Sequence, residues 1–145
     1  MKIRHSLLAP IILVAAIGCS DSTGIEPDQI AGTWTATQVV FTSLTNSSVT
    51  IDWIALGGTF TLTIRSDGTF TAVTRDPDGT TDTDVGDINV AGTVLTIADS
   101  GSGSPTAFVA VRNGDSMTLT TTDEEIDFDG DDADDPASLR IVLRR

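Results

Sequence analysis

The chain of 145 residues has one cysteine, one histidine and no tyrosine. Lys2 is its single lysine. Lys2, His5 and Cys19 all fall at the start, so nothing from residue 20 onward offers a His, Lys, Cys or Tyr side chain. Each absence removes a chemistry. Without His, the usual general base near neutral pH is gone, and with it Ser-His-Asp and Cys-His nucleophilic machinery. Without Lys there is no Schiff base. His/Cys zinc sites and disulfides are excluded on the same count. Neither Gly-x-x-x-x-Gly-Lys nor Gly-x-Gly-x-x-Gly occurs, which excludes the common nucleotide-binding loops. A carboxylate pair acting on a glycoside is the one catalytic device left. The chain has 21 acids and no pair among them stands out, so the sequence is read as that of a non-enzyme.

Positive charge is scarce as well. There are 8 basic residues against 21 acidic ones, a net charge of -13. Beyond Lys2 and Arg4 only six bases remain, all arginine. Phosphate backbones are bound by clustered Lys and Arg, so nucleic acid is excluded as a partner. Direct adhesion to anionic lipid headgroups is unfavourable for the same reason.

What is present begins with a leader. Lys2 and Arg4 precede an apolar stretch at 7–17, interrupted only by Pro10. That stretch is about half of the roughly 20 apolar residues needed to span a bilayer. Ala16-Ile17-Gly18-Cys19 follows. The run resembles the lipobox of bacterial lipoproteins, with Ala in place of the usual leading Leu. The resemblance implies a signal peptide at 1–18, removed on export. It also implies Cys19 as the lipid-bearing N-terminus and 19–29 as a lipid-anchored linker. Acyl chains on one cysteine anchor firmly, since each buried CH₂ contributes about 0.8 kcal/mol. Ser20 after the cysteine points, by the same resemblance, to the outer membrane of a Gram-negative envelope. The expected location is the cell envelope, facing periplasm or surface, with the membrane as partner through the lipid.

From Gly32 onward threonine alternates with apolar residues, the pattern of a strand buried on one face. Phe60, Leu62 and Ile64 share one face of a strand at 59–64. Ser66-Asp67-Gly68 turns the chain into 69–75, where Phe70 and Ala72 face in. Further strands are expected at 81–90, 93–98 and 106–112. Leu95 and Ile97 face in from the second of these, and Phe108 from the third. Asn113-Gly114 signals a type I′ hairpin into 116–122, with Met117 and Leu119 inward. A strand at 138–144 ends the chain, and one at 33–42 opens the domain. Residues 47–56 fit less well: a short extra strand or a partly helical flap, read as a long connection. The fold expected is all-β, an antiparallel up-and-down meander of about eight strands closed into a barrel. The runner-up is an immunoglobulin-like sandwich, which needs longer crossovers.

Gly32-Thr33-Trp34 opens the first strand, and Arg140, Arg144 and Arg145 lie in or after the last. This pairing resembles the lipocalin-like (calycin) family, over residues 30–145. The family places the Trp at the closed base of the barrel with a late Arg packed over it. The Thr-Asp-Tyr element of the core lipocalins is missing. The resemblance implies a small hydrophobic ligand in the barrel, with Phe60, Leu62, Ile64, Phe70, Phe108, Met117 and Leu119 as candidate lining. The domain is expected to be a monomer. Two other functions stay open. One is a surface interaction or inhibitor module, using 47–56 with Trp53 and Ile54 exposed, together with the acidic loop. The other is a structural envelope lipoprotein without ligand.

That acidic loop, 123–135, holds nine acids in 13 residues. Its spacing is not that of an EF-hand. Asp127, Asp129 and Asp131 would be the ligands if it held calcium, a hard ion that takes oxygen donors. The plainer reading is a solvated loop with Ile126 and Phe128 anchoring its first limb. No other cofactor is expected.

Overall fold

The computed structural model describes residue 25, residues 27–101 and residues 104–145. The expected signal peptide, Cys19 and linker residues 20–24 lie outside them. One helical turn, α1 (Pro27–Ile30), precedes nine strands: β1 (Gly32–Ser43), β2 (Thr50–Asp52), β3 (Thr59–Ile64), β4 (Thr69–Arg75), β5 (Thr81–Ala91), β6 (Val94–Asp99), β7 (Thr106–Asn113), β8 (Ser116–Ile126) and β9 (Asp135–Arg144). From β3 on, every strand pairs antiparallel with the next, and β9 returns to β1. Eight strands, β1 and β3 to β9, therefore close a barrel in meander order. The stacked sheets of the sandwich alternative are excluded, because one sheet curls onto itself.

Alternation explains the closure. Trp34, Leu62, Phe70, Leu95, Phe108, Leu119, Ile141 and Leu143 are all buried, while the intervening threonines and charged residues face out. Two-residue loops tighten the lower end. Ala91 pairs with Val94 around Gly92-Thr93, and Asn113 with Ser116 around Gly114-Asp115. Gly92 and Gly114 have φ of 65° and 59°, and neither Thr93 nor Asp115 has positive φ. Both are thus loops of the II′ kind, with glycine first. The type I′ reading of Asn113-Gly114 is corrected: the turn starts one residue later, and Asn113 ends β7. Gly86 is also obligatory. It faces Phe70 across the ladder, and a Cβ there would run into the Ala98 carbonyl.

Two other expectations change. Residues 47–56 contribute a strand after all: β2 pairs with Val40–Thr42 of β1, outside the barrel. The two arms beside the acidic loop run further than alternation suggested, to Ile126 and from Asp135, leaving a loop of 127–134. A bulge between Thr121 and Glu124 lets β8 continue.

The base is closed by packing. Trp34 has no solvent exposure, and its Nε1–H donates to the Ile30 carbonyl at 2.7 Å. Ile30 caps the core from α1, and Ile25 packs against it with its N–H on the Gly92 carbonyl at 2.8 Å. Residues 25 and 27–29, assigned to the linker from sequence, thus belong to the domain's floor. The Arg145 guanidinium lies 4.9 Å from the Trp34 ring centre. It also donates to the carbonyls of Gln29 and Ala31 at 3.4 and 3.2 Å, holding α1 in place. Arg144 and Arg140 are exposed.

Replacing Arg145 tests this floor. Arg145→Ala is expected to lower the free energy of unfolding by about 1–2 kcal/mol, the scale of a cation–π contact with its hydrogen bonds. Arg145→Lys should recover only part of the loss, because an ammonium cannot stack and hold two carbonyls together. Urea titrations of the two variants check it.

Candidate functional site

The meander sorts the barrel into two ends. The hairpins at 65–68, 92–93 and 114–115 lie at the base with Trp34. The links at 44–58, 76–80 and 127–134, with residues 100–101 and 104–105, lie at the opposite, open end. The lower interior is solid: Trp34, Leu62, Leu95, Met117 and Leu143 have no exposure. Above it, the small inward side chains of Ala72, Thr74, Thr106 and Ala137 stand among the larger Phe60, Ile97 and Leu139.

The result is a cup at the open end. A cavity of about 340 Å³ is walled by Phe60, Leu62, Phe70, Ala72, Phe108, Leu119 and Ile141, among others. A second hollow of about 380 Å³ adjoins it beneath β2, with Val39, Phe41, Trp53 and Ile126 in its wall. Phe60, Thr74, Glu124, Leu139 and Ile141 line both hollows. Such volumes are in the range of small-molecule sites. A larger depression of about 560 Å³ lies on the outer wall, between Val40, Val109, Thr120 and Arg140. It follows the convex side of the sheet, away from the interior.

Of the seven predicted lining residues, Phe60, Leu62, Phe70, Phe108 and Leu119 border the cup. Ile64 and Met117 are buried in the packed base beneath it. Trp53 was missed as lining. The sequence reading has Trp53 and Ile54 exposed for a partner. In the structure both are partly buried against the core, and Leu44, Val49 and Leu56 are the exposed apolar groups of that link. Trp53 reaches inward because its N–H bonds the Val39 carbonyl at 2.8 Å and Gly58 leaves room for its ring.

Three acids also reach the cup: Asp84, Asp99 and Glu124. Asp99 continues the Leu95–Ile97 face, and Asp84 is paired with inward Ala72. Glu124 arrives through the bulge. Thr121 stands opposite Leu139 and Glu124 opposite Ala137, so both face in, while Thr122 and Asp123, two residues against the single Ser138, bow out. Burial raises the Glu124 carboxyl above its ordinary range, with the Asp123 charge adding to it. Burial, then the Asp84 charge, raises Asp99 in the same direction.

In the acidic loop, Asp127, Asp129 and Asp131 bring carboxylate oxygens within 4.8 Å of one another. They also fold the loop. The Asp127 carboxylate accepts N–H groups from Asp129, Gly130 and Asp132, at 3.2, 2.6 and 3.1 Å. These bonds, that from Gly130 first, hold Asp127 below the usual carboxylate range. Asp129 is raised, chiefly by the Asp131 charge.

No protein-family model matches the chain, and no curated protein or solved structure is significantly similar to it. The geometry stands alone as the basis for function.

Three measurements follow from this geometry. A Cβ at residue 58 collides with the Trp53 ring, so Gly58→Ala should push the indole outward. Its fluorescence is expected to shift to the red, with a stability loss of about 1–3 kcal/mol. The raised carboxyls set a pH dependence. A carboxyl raised in the folded state destabilises it when charged, and the penalty fades as pH falls through its folded pKa. Asp99→Asn and Glu124→Gln should therefore each stabilise the fold at neutral pH, by under about 1 kcal/mol, and so raise Tm. The gain should vanish toward the acid range in which the carboxyls titrate. For the loop, the solvated reading predicts no change of Tm with millimolar calcium, whereas a rise in the wild type that Asp127→Asn abolishes would support the calcium site. An unchanged wild-type Tm removes the calcium site.

Proposed function

We propose that this is an envelope lipoprotein whose lipocalin-like domain binds a small hydrophobic ligand in the open end of its barrel. The apolar cup carries the reading. An interior meant only to be filled would be packed to its rim as it is at its base. Here small side chains at Ala72, Thr74 and Thr106 leave a hollow between the larger Phe60, Phe108 and Leu139. The Trp53 flap at the side of the cup offers a wall that a ligand would contact.

The Trp34–Arg145 stack fits the lipocalin-like resemblance, and the lipobox-like run ending at Cys19 supports the anchor. The described chain joins the barrel at its floor, through Ile25 and α1. An anchor at Cys19 would then leave the cup facing away from the bilayer. The interaction or inhibitor reading rests on Leu44, Val49 and Leu56, 51%, 37% and 60% exposed beside the mouth. That is little apolar area for a docking surface, so the ligand reading is preferred.

Native mass spectrometry of protein purified from its host, with binding of a neutral naphthylamine dye, tests the proposal. A bound lipid-like mass, or a dye signal that saturates at one site, is expected. Thr74 lines both hollows, so Thr74→Trp should fill the cup. It should cut dye affinity at least about ten-fold while leaving Tm within a few degrees. A clean apo mass with no dye binding would sink the ligand reading.

A further inference from the structure

The cup is apolar in its walls and acidic at its mouth, and the acids have no hydrogen-bond or ion-pair partner among the described residues. We infer that the barrel selects a hydrophobic cation, whose apolar body occupies the cup while its ammonium-type head sits among Asp84, Asp99 and Glu124. This rests on the ligand-binding reading above and names the class of ligand.

The three carboxylates come from β5, β6 and β8 and border the same 340 Å³ cavity as Phe60, Phe70 and Phe108. The hollow under β2 adds Glu125 beside Glu124. Among the described residues no arginine lines either hollow. Arg65, Arg112, Arg144 and Arg145 sit at the base; Arg75 ends β4 at the open end but exposed on its outward face, and Arg140 is exposed on the outer wall. Arg140 is bonded to Gln38 at 2.9 Å on the outer wall. The one ion pair among the described residues, Arg145 with Asp115 at 3.5 Å, also belongs to the base.

Carboxylates partly withdrawn from water without a counter-charge are costly. The cost shows in the raised protonation of Asp99 and Glu124, whose causes are burial and neighbouring acids. A cation entering the cup would relieve that cost, because opposite charges attract strongly where water is partly excluded. A fatty acid would meet repulsion at the same place. The loops around the mouth extend the field, since the acids of 127–134 and of the 76–80 turn all lie at this end. A field of one sign over a concave site draws in ions of the other.

The test compares three ligands with one chain length: decylammonium, decanol and decanoate, each displacing the neutral dye below its aggregation concentration. Decylammonium is expected to bind roughly ten-fold tighter than decanol, with decanoate weakest. In the Asp99→Asn, Glu124→Gln double variant the ammonium advantage should be lost while decanol affinity stays. An Asp28→Asn, Asp87→Asn variant removes the same charge from exposed positions away from the mouth and should keep the advantage. Equal binding of the three, preference for decanoate, or equal loss of preference in both variants overturns the cation assignment and leaves the barrel-binding reading intact. Failure of all three ligands to displace bound dye also overturns it. Failure of the dye itself to bind removes both.

Discussion

Strand β1 has to satisfy two edges at once, and the shape of the domain follows from how it does so. One edge is committed to β9 over most of its length, which closes the barrel. The other pairs with β3 only from Gly32 to Thr35. Beyond that point β1 leaves β3 and takes the three residues of β2 instead. Backbone N–H and C=O groups cannot be left bare beside a core, so the short strand and the Trp53 N–H cover the gap. The barrel is tight where β1 and β3 touch and wide where they part. Floor and cup are two consequences of one splayed strand.

The floor then allows the cup to be loosely filled. Trp34, Ile30 and Met117 are wholly buried there, and Arg145 locks α1 over them. Dense packing at one end supplies cohesion that the other end lacks. Charge is divided the same way. Four of the arginines sit around the base, while the long acidic link and the inward acids sit at the mouth. An up-and-down meander places alternate loops at opposite ends, so this separation needs no long-range contact beyond the strand order. It gives an apolar hollow an acidic opening.

Much of this was legible in the residues. The limits of β3 and β4 follow directly from Thr-apolar alternation and Ser66-Asp67-Gly68. The inward faces of Phe60, Leu62, Phe70, Phe108 and Leu119 follow from period two. The site was legible only in part. Period two says which way a side chain points but not how high it stands in the barrel, so Ile64 and Met117 look the same as Leu62 until the registers are known. Glu124 was hidden because a bulge breaks the alternation, and strict counting would have turned Asp123 and Glu125 inward. Trp53 was hidden because its burial depends on a gap between strands remote in sequence. Asp99 was within reach, two residues beyond Ile97 on the same face, but an acid ending a strand reads most simply as solvated.

The residues alone determined the strand class, the meander, the lack of His, Lys, Cys and Tyr chemistry after residue 19, and the excess of acid. These depend on composition and on neighbours within a few positions, where local physics suffices. The tertiary structure decided which inward side chains pack solid and which border a hollow, where the flap lies, and that Asp84, Asp99 and Glu124 meet at one mouth. Those depend on closure, on register between distant strands and on a bulge, and distances across a barrel are set by the whole ring of strands at once.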